Sequence, residues 1–244
     1  MNILDRYGIK EVADVTFYEI ADNGEAGAPV LYLDTLKVST IEQTAESTSA
    51  RGGKGNPELI MWDYGKEITV TLEDALFSAK SMALMYGVDI NNTSDFGKET
   101  TILKTVKPSQ VSSDGSKITI NGQDFTVSGS VTYYDENGSS TTNKASAAYA
   151  TAKITVSGQK IVISSDKFPK TYYITGDTYA RSEATGKDEF FQFIIPKAKM
   201  QSEVTLTMEA EGDPSTFNMN LKVLRPADGD MMKLVKYSLP GSGS

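Results

Sequence analysis

Hydrophobic and polar positions alternate most clearly over residues 203–224. Val204, Leu206, Met208 and Ala210 interleave with Glu203, Thr205, Thr207, Glu209 and Glu211. A period of two marks a strand with one buried face. Gly212, Asp213, Pro214 and Ser215 then supply turn chemistry. The alternation resumes with Phe217, Met219, Leu221 and Val223 against Asn218, Asn220 and Lys222. Two such strands around a short polar turn predict a β-hairpin with one greasy face and one wet face.

A near copy lies upstream. Glu67-Ile-Thr-Val-Thr-Leu-Glu73 matches Glu203-Val-Thr-Leu-Thr-Met-Glu209 in type at each position. Two copies are too few for a solenoid, so they predict two related strands in one sheet or in two facing sheets. Further strands are expected over Glu11–Ile20, Val30–Ser39, Leu59–Trp62, Thr171–Ile174, Glu189–Pro196 and Lys233–Leu239. Asn121-Gly122 between Lys117–Ile120 and Phe125–Val127 is a strong hairpin signal. One helix is expected over 72–86, with Thr71 as its cap, Asp74 completing a capping box and Gly87 as its stop. Leu72, Ala75, Leu76, Ala79, Met82, Ala83 and Tyr86 share one face at helical spacing.

Residues 42–58 have almost no apolar content. Such a segment cannot bury enough surface to offset its ordering entropy, and it reads as a long loop that orders against a partner. Its Arg51-Gly-Gly-Lys-Gly55 stretch does not fit the phosphate-loop spacing. The coarse organisation is then residues 1–100, including the helix, residues 101–170 as an inserted β-rich elaboration, residues 171–239 as the closing strands, and 240–244 as a flexible tail. The fold class is all-β, with one flanking helix.

Composition narrows the chemistry. With neither Cys nor His, the chain lacks the commonest general base, thiolate nucleophiles and the usual metal ligands. A net charge of −8 argues against phosphate-neutralising nucleic-acid binding. Carboxylates sit at turns and on outward strand positions, where no pKa tuning for acid–base work is expected. No catalytic residue, metal site or cofactor is expected. No apolar run approaches the roughly 20 residues of a membrane span, and Met1–Lys10 lacks a secretory pattern.

Two runs carry a family resemblance. Arg51-Gly-Gly-Lys-Gly-Asn-Pro-Glu-Leu-Ile-Met-Trp-Asp-Tyr-Gly-Lys-Glu-Ile-Thr-Val-Thr-Leu-Glu-Asp-Ala-Leu-Phe-Ser78 resembles the major tail, or tail tube, proteins of tailed bacteriophages. So does Gly176-Asp-Thr-Tyr-Ala-Arg181 followed by Lys187–Met200 and the hairpin. Residues 101–170 carry no such likeness. The resemblance implies a two-sheet β-sandwich or barrel of tail-tube type. It also implies a virion structural protein, assembled in the host bacterial cytoplasm as hexameric rings stacked into a DNA-conducting tube. Its expected partners are further copies of itself, a tape-measure protein and tail-terminating or baseplate proteins, with DNA passing without sticking and no membrane.

Within that picture, Glu67, Thr69, Glu203, Thr205, Thr207 and Glu209 are expected to face the channel, as an acidic and hydroxyl-rich lining. Glu46, Arg51, Lys54 and Asn56 are expected in an inter-ring loop. The alternative class is a β-sandwich adhesin or decoration protein that binds sugar or protein through its turns.

Overall fold

The structure is a computed structural model that describes residues 6–9, 11–88, 99–158, 160–204 and 216–237. In chain order the elements are β1 Tyr7–Ile9, β2 Asp14–Ile20, β3 Ala26–Leu33, β4 Leu36–Arg51, β5 Glu58–Asp74 and α1 Ala79–Tyr86. They continue with β6 Glu99–Val106, β7 Lys117–Ile120, β8 Gln123–Thr126, β9 Thr132–Tyr134, β10 Ser140–Thr141 and β11 Tyr149–Ser157. The last four are β12 Thr171–Ser182, β13 Asp188–Met200, β14 Phe217–Val223 and β15 Lys233–Tyr237. Among the described residues the fold is all-β of sandwich type with one short α-helix, and none of the antiparallel sheets closes into a barrel.

The chain divides into two compact units: residues 1–90 with 163–244, and residues 91–162. In the larger unit the strands run β3-β2-β12-β13-β14-β5-β4, with β1 added beside β12 and β15 beside β13. Alternation drives this sheet. Val15 and Phe17, Ile68, Val70 and Leu72, and Met219, Leu221 and Val223 all point to one face and are buried. Leu31 and Leu33 of β3 belong to the same buried cluster as Val70 and Leu72 of β5, although they lie near opposite ends of the strand order. The sheet therefore curls over its own apolar face, and Leu84 and Met85 of α1 pack into the same cluster. Truncating a fully buried leucine such as Leu72 to alanine would cost about 2–5 kcal/mol.

Gly176 shows how close this packing is. It pairs with Phe193, and a Cβ there would lie 1.9 Å from the Phe193 ring. The ring lies over the bare glycine backbone, which any side chain would displace.

The smaller unit has a four-stranded sheet, β10-β9-β11-β6, and the β7–β8 hairpin. Val106, Val111, Ile118, Ala150, Ala152 and Ile154 form its own core. Asn121 and Gly122 both adopt positive φ, 52° and 80°, as the Asn-Gly signal predicts.

Two expectations are corrected. The helix starts at Ala79, not at residue 72, and Thr71 is no cap: β5 runs through Asp74. Both periods fit Leu72, but Leu72 pairs with Met219, and the ladder to β14 prolongs the strand. Ser78 is the cap, forming a reciprocal capping box with Ser81. Gly87 ends the helix as expected, in the left-handed conformation at φ 72°. Residues 42–58 are not a long loop. They form the outer half of β4, a tight turn and the first residue of β5. Of the hairpin expected over 203–224, β14 is present, whereas Thr205 to Ser215 lie outside the described residues.

Candidate functional site

β4 and β5 form one long hairpin. Its inner half belongs to the sheet, with Gln43 opposite Ile68, the last buried residue of β5 towards the tip. The ladder then continues through Glu46 opposite Tyr64 and Thr48 opposite Trp62 to Arg51 opposite Glu58. At about 3.3 Å per residue, this arm extends roughly 25 Å past the core. The register slips between Thr44 and Glu46, where Gly65, with φ 63°, marks a bulge. The tip is tightly turned. Gly53, Gly55 and Asn56 have positive φ, Asn56 donates its backbone N–H to the Gly53 carbonyl at 3.1 Å, and Arg51 pairs with Glu58 at 3.0 Å.

The arm carries large apolar side chains that stay more than half exposed. Leu59, Ile60, Met61, Trp62 and Tyr64 are 52–63% exposed. Cross-strand partners share a face, so Ile60, Trp62 and Tyr64 line one side with Ala50, Thr48 and Glu46. Lys54 and Lys66 make no ion pair among the described residues. Contiguous exposed apolar surface rimmed by polar residues is the ordinary mark of a protein–protein contact. All four residues expected in an inter-ring loop fall on this arm: Glu46 and Arg51 on β4, Lys54 and Asn56 in its tip.

The expected channel-facing residues divide. Glu67 and Thr69 lie side by side on the outward face of β5, half-buried. Thr71 donates its hydroxyl to Asn220 Oδ1 at 3.2 Å on the same face. That face is not uniformly acidic: Lys222 Nζ lies 2.7 Å from Glu67 Oε1, and Lys222 is paired in register with Lys199 of β13. Glu42, opposite Thr69, and Glu73, opposite Asn218, add negative charge, so the face is mixed. Glu203 is exposed just beyond β13, while Thr205, Thr207 and Glu209 lie outside the described residues.

Elsewhere in the larger unit, Gly8, Ile9 and residues 11–14 border open hollows, two of them beside β12 and β13. Asp14 accepts a hydrogen bond from the Tyr32 hydroxyl at 3.4 Å. Tyr32 is held above the usual phenol range, first by the charge of Asp14, then by desolvation and that hydrogen bond, and by the charges of Asp34 and Asp177. Asp14 and Asp34 border one hollow, whereas Lys37 and Arg181 border the other two, so the lining is mixed in charge. Neither the bare apolar arm nor these hollows were anticipated from sequence. The only signal was Leu59–Trp62 following a polar run, and the hollows form only when distant strands meet.

Comparison with known proteins gives two findings. The model of the YomU/Tube protein family matches residues 7–236. Over 251 aligned positions, covering 93% of this chain and 87% of the relative, the sequence is 24% identical to the tail tube protein of Bacillus phage SPR. The likeness drawn from residues 51–78 and 176–200 thus extends over nearly the whole chain, and with it a structural role in the phage tail. The chain belongs to the YomU/Tube protein family.

Proposed function

We propose that this chain is a non-enzymatic subunit that polymerises into rings, hexameric by the family likeness, which stack into the tube through which phage DNA passes. One observation carries the reading. The β4–β5 arm exposes five large apolar side chains, the kind of surface a protein keeps for a partner. Identical copies joined by an unlike-to-unlike contact form a closed ring or an open stack. An arm reaching past the core suits contact with the next ring. A tape-measure protein inside the tube and tail-terminating or baseplate proteins at its ends complete the proposal.

The outward face of β5 and β14 is assigned to the channel. Glu67 and Thr69 lie on it, exposed Glu203 is assigned beside it, and Thr205, Thr207 and Glu209 join it on their sequence pattern alone. Hydroxyls and amides with balanced charge offer phosphates no strong attraction. DNA would slide because binding is weak, rather than because a purely acidic wall repels it.

The test is size exclusion and negative-stain imaging of purified full-length protein over a rising concentration series. Rings or tubes are expected. A monomer that persists at every concentration would overturn the reading.

A further inference from the structure

The arm divides its polarity by strand rather than by face. Leu59 and Met61 lie on one side of β5 and Ile60 and Trp62 on the other, all exposed. The β4 residues opposite, Thr48, Ser49 and Ala50, are small. Strands that read as unbroken apolar runs are those covered on both faces, in the interior of a sheet. β5 has a strand on each edge only in part. β14 pairs with it over residues 69–74, and over residues 58–68 its second edge has no strand beside it among the described residues. The outer half of β5 has the composition of an interior strand and lacks one neighbour.

A neighbour must bring a free edge of its own. Among the described residues, the larger sheet's other free edges are those of β1, β3, β4 and β15. Three are ill-suited to pairing. β1 has three residues. β3 carries Pro29, which has no N–H to donate, and its register shifts twice. β4 bears Lys37, Glu42, Glu46 and Arg51, and beyond Ile41 it holds no large apolar residue.

β15 differs. Leu234 and Val235, on opposite faces, are 64% and 40% exposed. Loose lysines would guard this edge, but both are held within the chain. Lys233 pairs with Asp228 and Asp230, and Lys236 pairs with Glu189 and donates to the Tyr7 hydroxyl at 2.6 Å. On β5, Glu58 and Glu67 are likewise held, by Arg51 and Lys222. Asp63 and Lys66 are left, one of each sign, so charge neither selects the match nor opposes it.

We propose that the outer edge of β5, residues 58–66, pairs with β15 of a second copy, carrying the sheet from one copy into the next by strand addition. This rests on the assembly reading above and names the edges through which assembly would occur. The five residues of β15 span about 17 Å, well within the free edge of β5. Pairing β5 with β5 would be two-fold and would end at a dimer, whereas β5 with β15 is unlike-to-unlike and propagates from copy to copy.

The chain contains no cysteine, so single thiols can be placed at will. Full-length Asp63→Cys is mixed with full-length Val235→Cys under assembling conditions and treated with a short bis-maleimide. A cross-linked dimer of the two variants is expected. Asp63→Cys alone should give none, and neither should Asp63→Cys mixed with Tyr32→Cys, at an exposed position of β3. Amide hydrogen exchange of the wild type separates backbone pairing from side-chain contact. On assembly, exchange in residues 58–66 and 233–237 should slow about tenfold or more, while β3 should be unchanged. If wild-type protein assembles but the selective cross-link is missing, or either strand gains no protection, the proposal falls while the assembly reading stands. A dimer of Asp63→Cys with itself would overturn it in favour of two-fold pairing of arms. If wild-type protein forms no assembly at all, both readings fall.

Discussion

Trp62 is the arm's largest bare side chain, and its removal separates assembly from folding. A tryptophan offers up to about 250 Å² to burial. Trp62 is 52% exposed, which leaves roughly 130 Å² free for a neighbour. At about 25 cal/mol per Å², covering that surface contributes about 3 kcal/mol per contact. Trp62→Ala should therefore weaken each contact about a hundredfold. The fold should hardly notice. Trp62 is outside the core cluster, and its cross-strand partner is Thr48 on the same arm. The main thermal transition should stay within about 3 °C of wild type. The assay is the pelletable fraction after centrifugation of a concentration series, with calorimetry alongside. Trp62→Ala that pellets at wild-type concentrations would refute the role of the arm. Loss of assembly accompanied by a collapsed transition would instead mean that Trp62 supports the fold.

Substitutions at three further positions test the structure itself. At Gly87, φ is 72° and a Cβ would lie 2.2 Å from the Phe168 carbonyl carbon, so Gly87→Ala should cost more than about 3 kcal/mol by chemical denaturation. Gly87→Asn should do no better, because asparagine tolerates the dihedral but not the collision. Asp74 is buried, accepting from the Thr35 hydroxyl at 2.6 Å and the Leu76 N–H at 3.3 Å, so Asp74→Ala should cost about 1–3 kcal/mol. In the smaller unit, the Ser112 hydroxyl and then the Ser116 amide and hydroxyl donate to Asp114, lowering its pKa to about 2. A folded-state pKa below the unfolded value means the contribution is whole above pH ~3.9 and lost as pH falls through about 2. Any stability gap between wild type and Asp114→Asn near pH ~6 should therefore narrow below pH ~4 and close towards pH ~2.

What could be read from sequence was whatever one buried face dictates. Met219, Leu221 and Val223 alternate because they point into the core, and β14 lies where the pattern puts it. Asn121-Gly122 was equally legible, since few residues besides asparagine and glycine adopt positive φ readily. The arm escaped for the same physical reason. Residues 44–51 have no buried face within the chain, so selection for a core leaves no periodic trace in them. Their strand state comes from pairing with β5. The glycines Gly53 and Gly55, whose spacing does not fit a phosphate loop, serve positive-φ turn positions at the arm's tip. The helix start was ambiguous because Leu72, Ala75, Leu76 and Ala79 fit a helical stripe, whereas Ile68, Val70, Leu72 and Asp74 fit a strand. Pairing with β14 decided it, and no local pattern reports a partner some 150 residues away. The pairing of Lys222 with Glu67 was likewise not legible, since the two are far apart in sequence yet adjacent in the sheet.

The central claim is that the β4–β5 arm serves assembly and is dispensable for folding. Since Glu46 faces Tyr64, replacing residues 47–63 by Asn-Gly should close a short hairpin with the core ladder intact. Negative-stain imaging of this variant beside wild type tests the claim most directly. The account predicts rings or tubes from wild type and folded, dispersed monomers from the variant. Tubes from the shortened protein would contradict it.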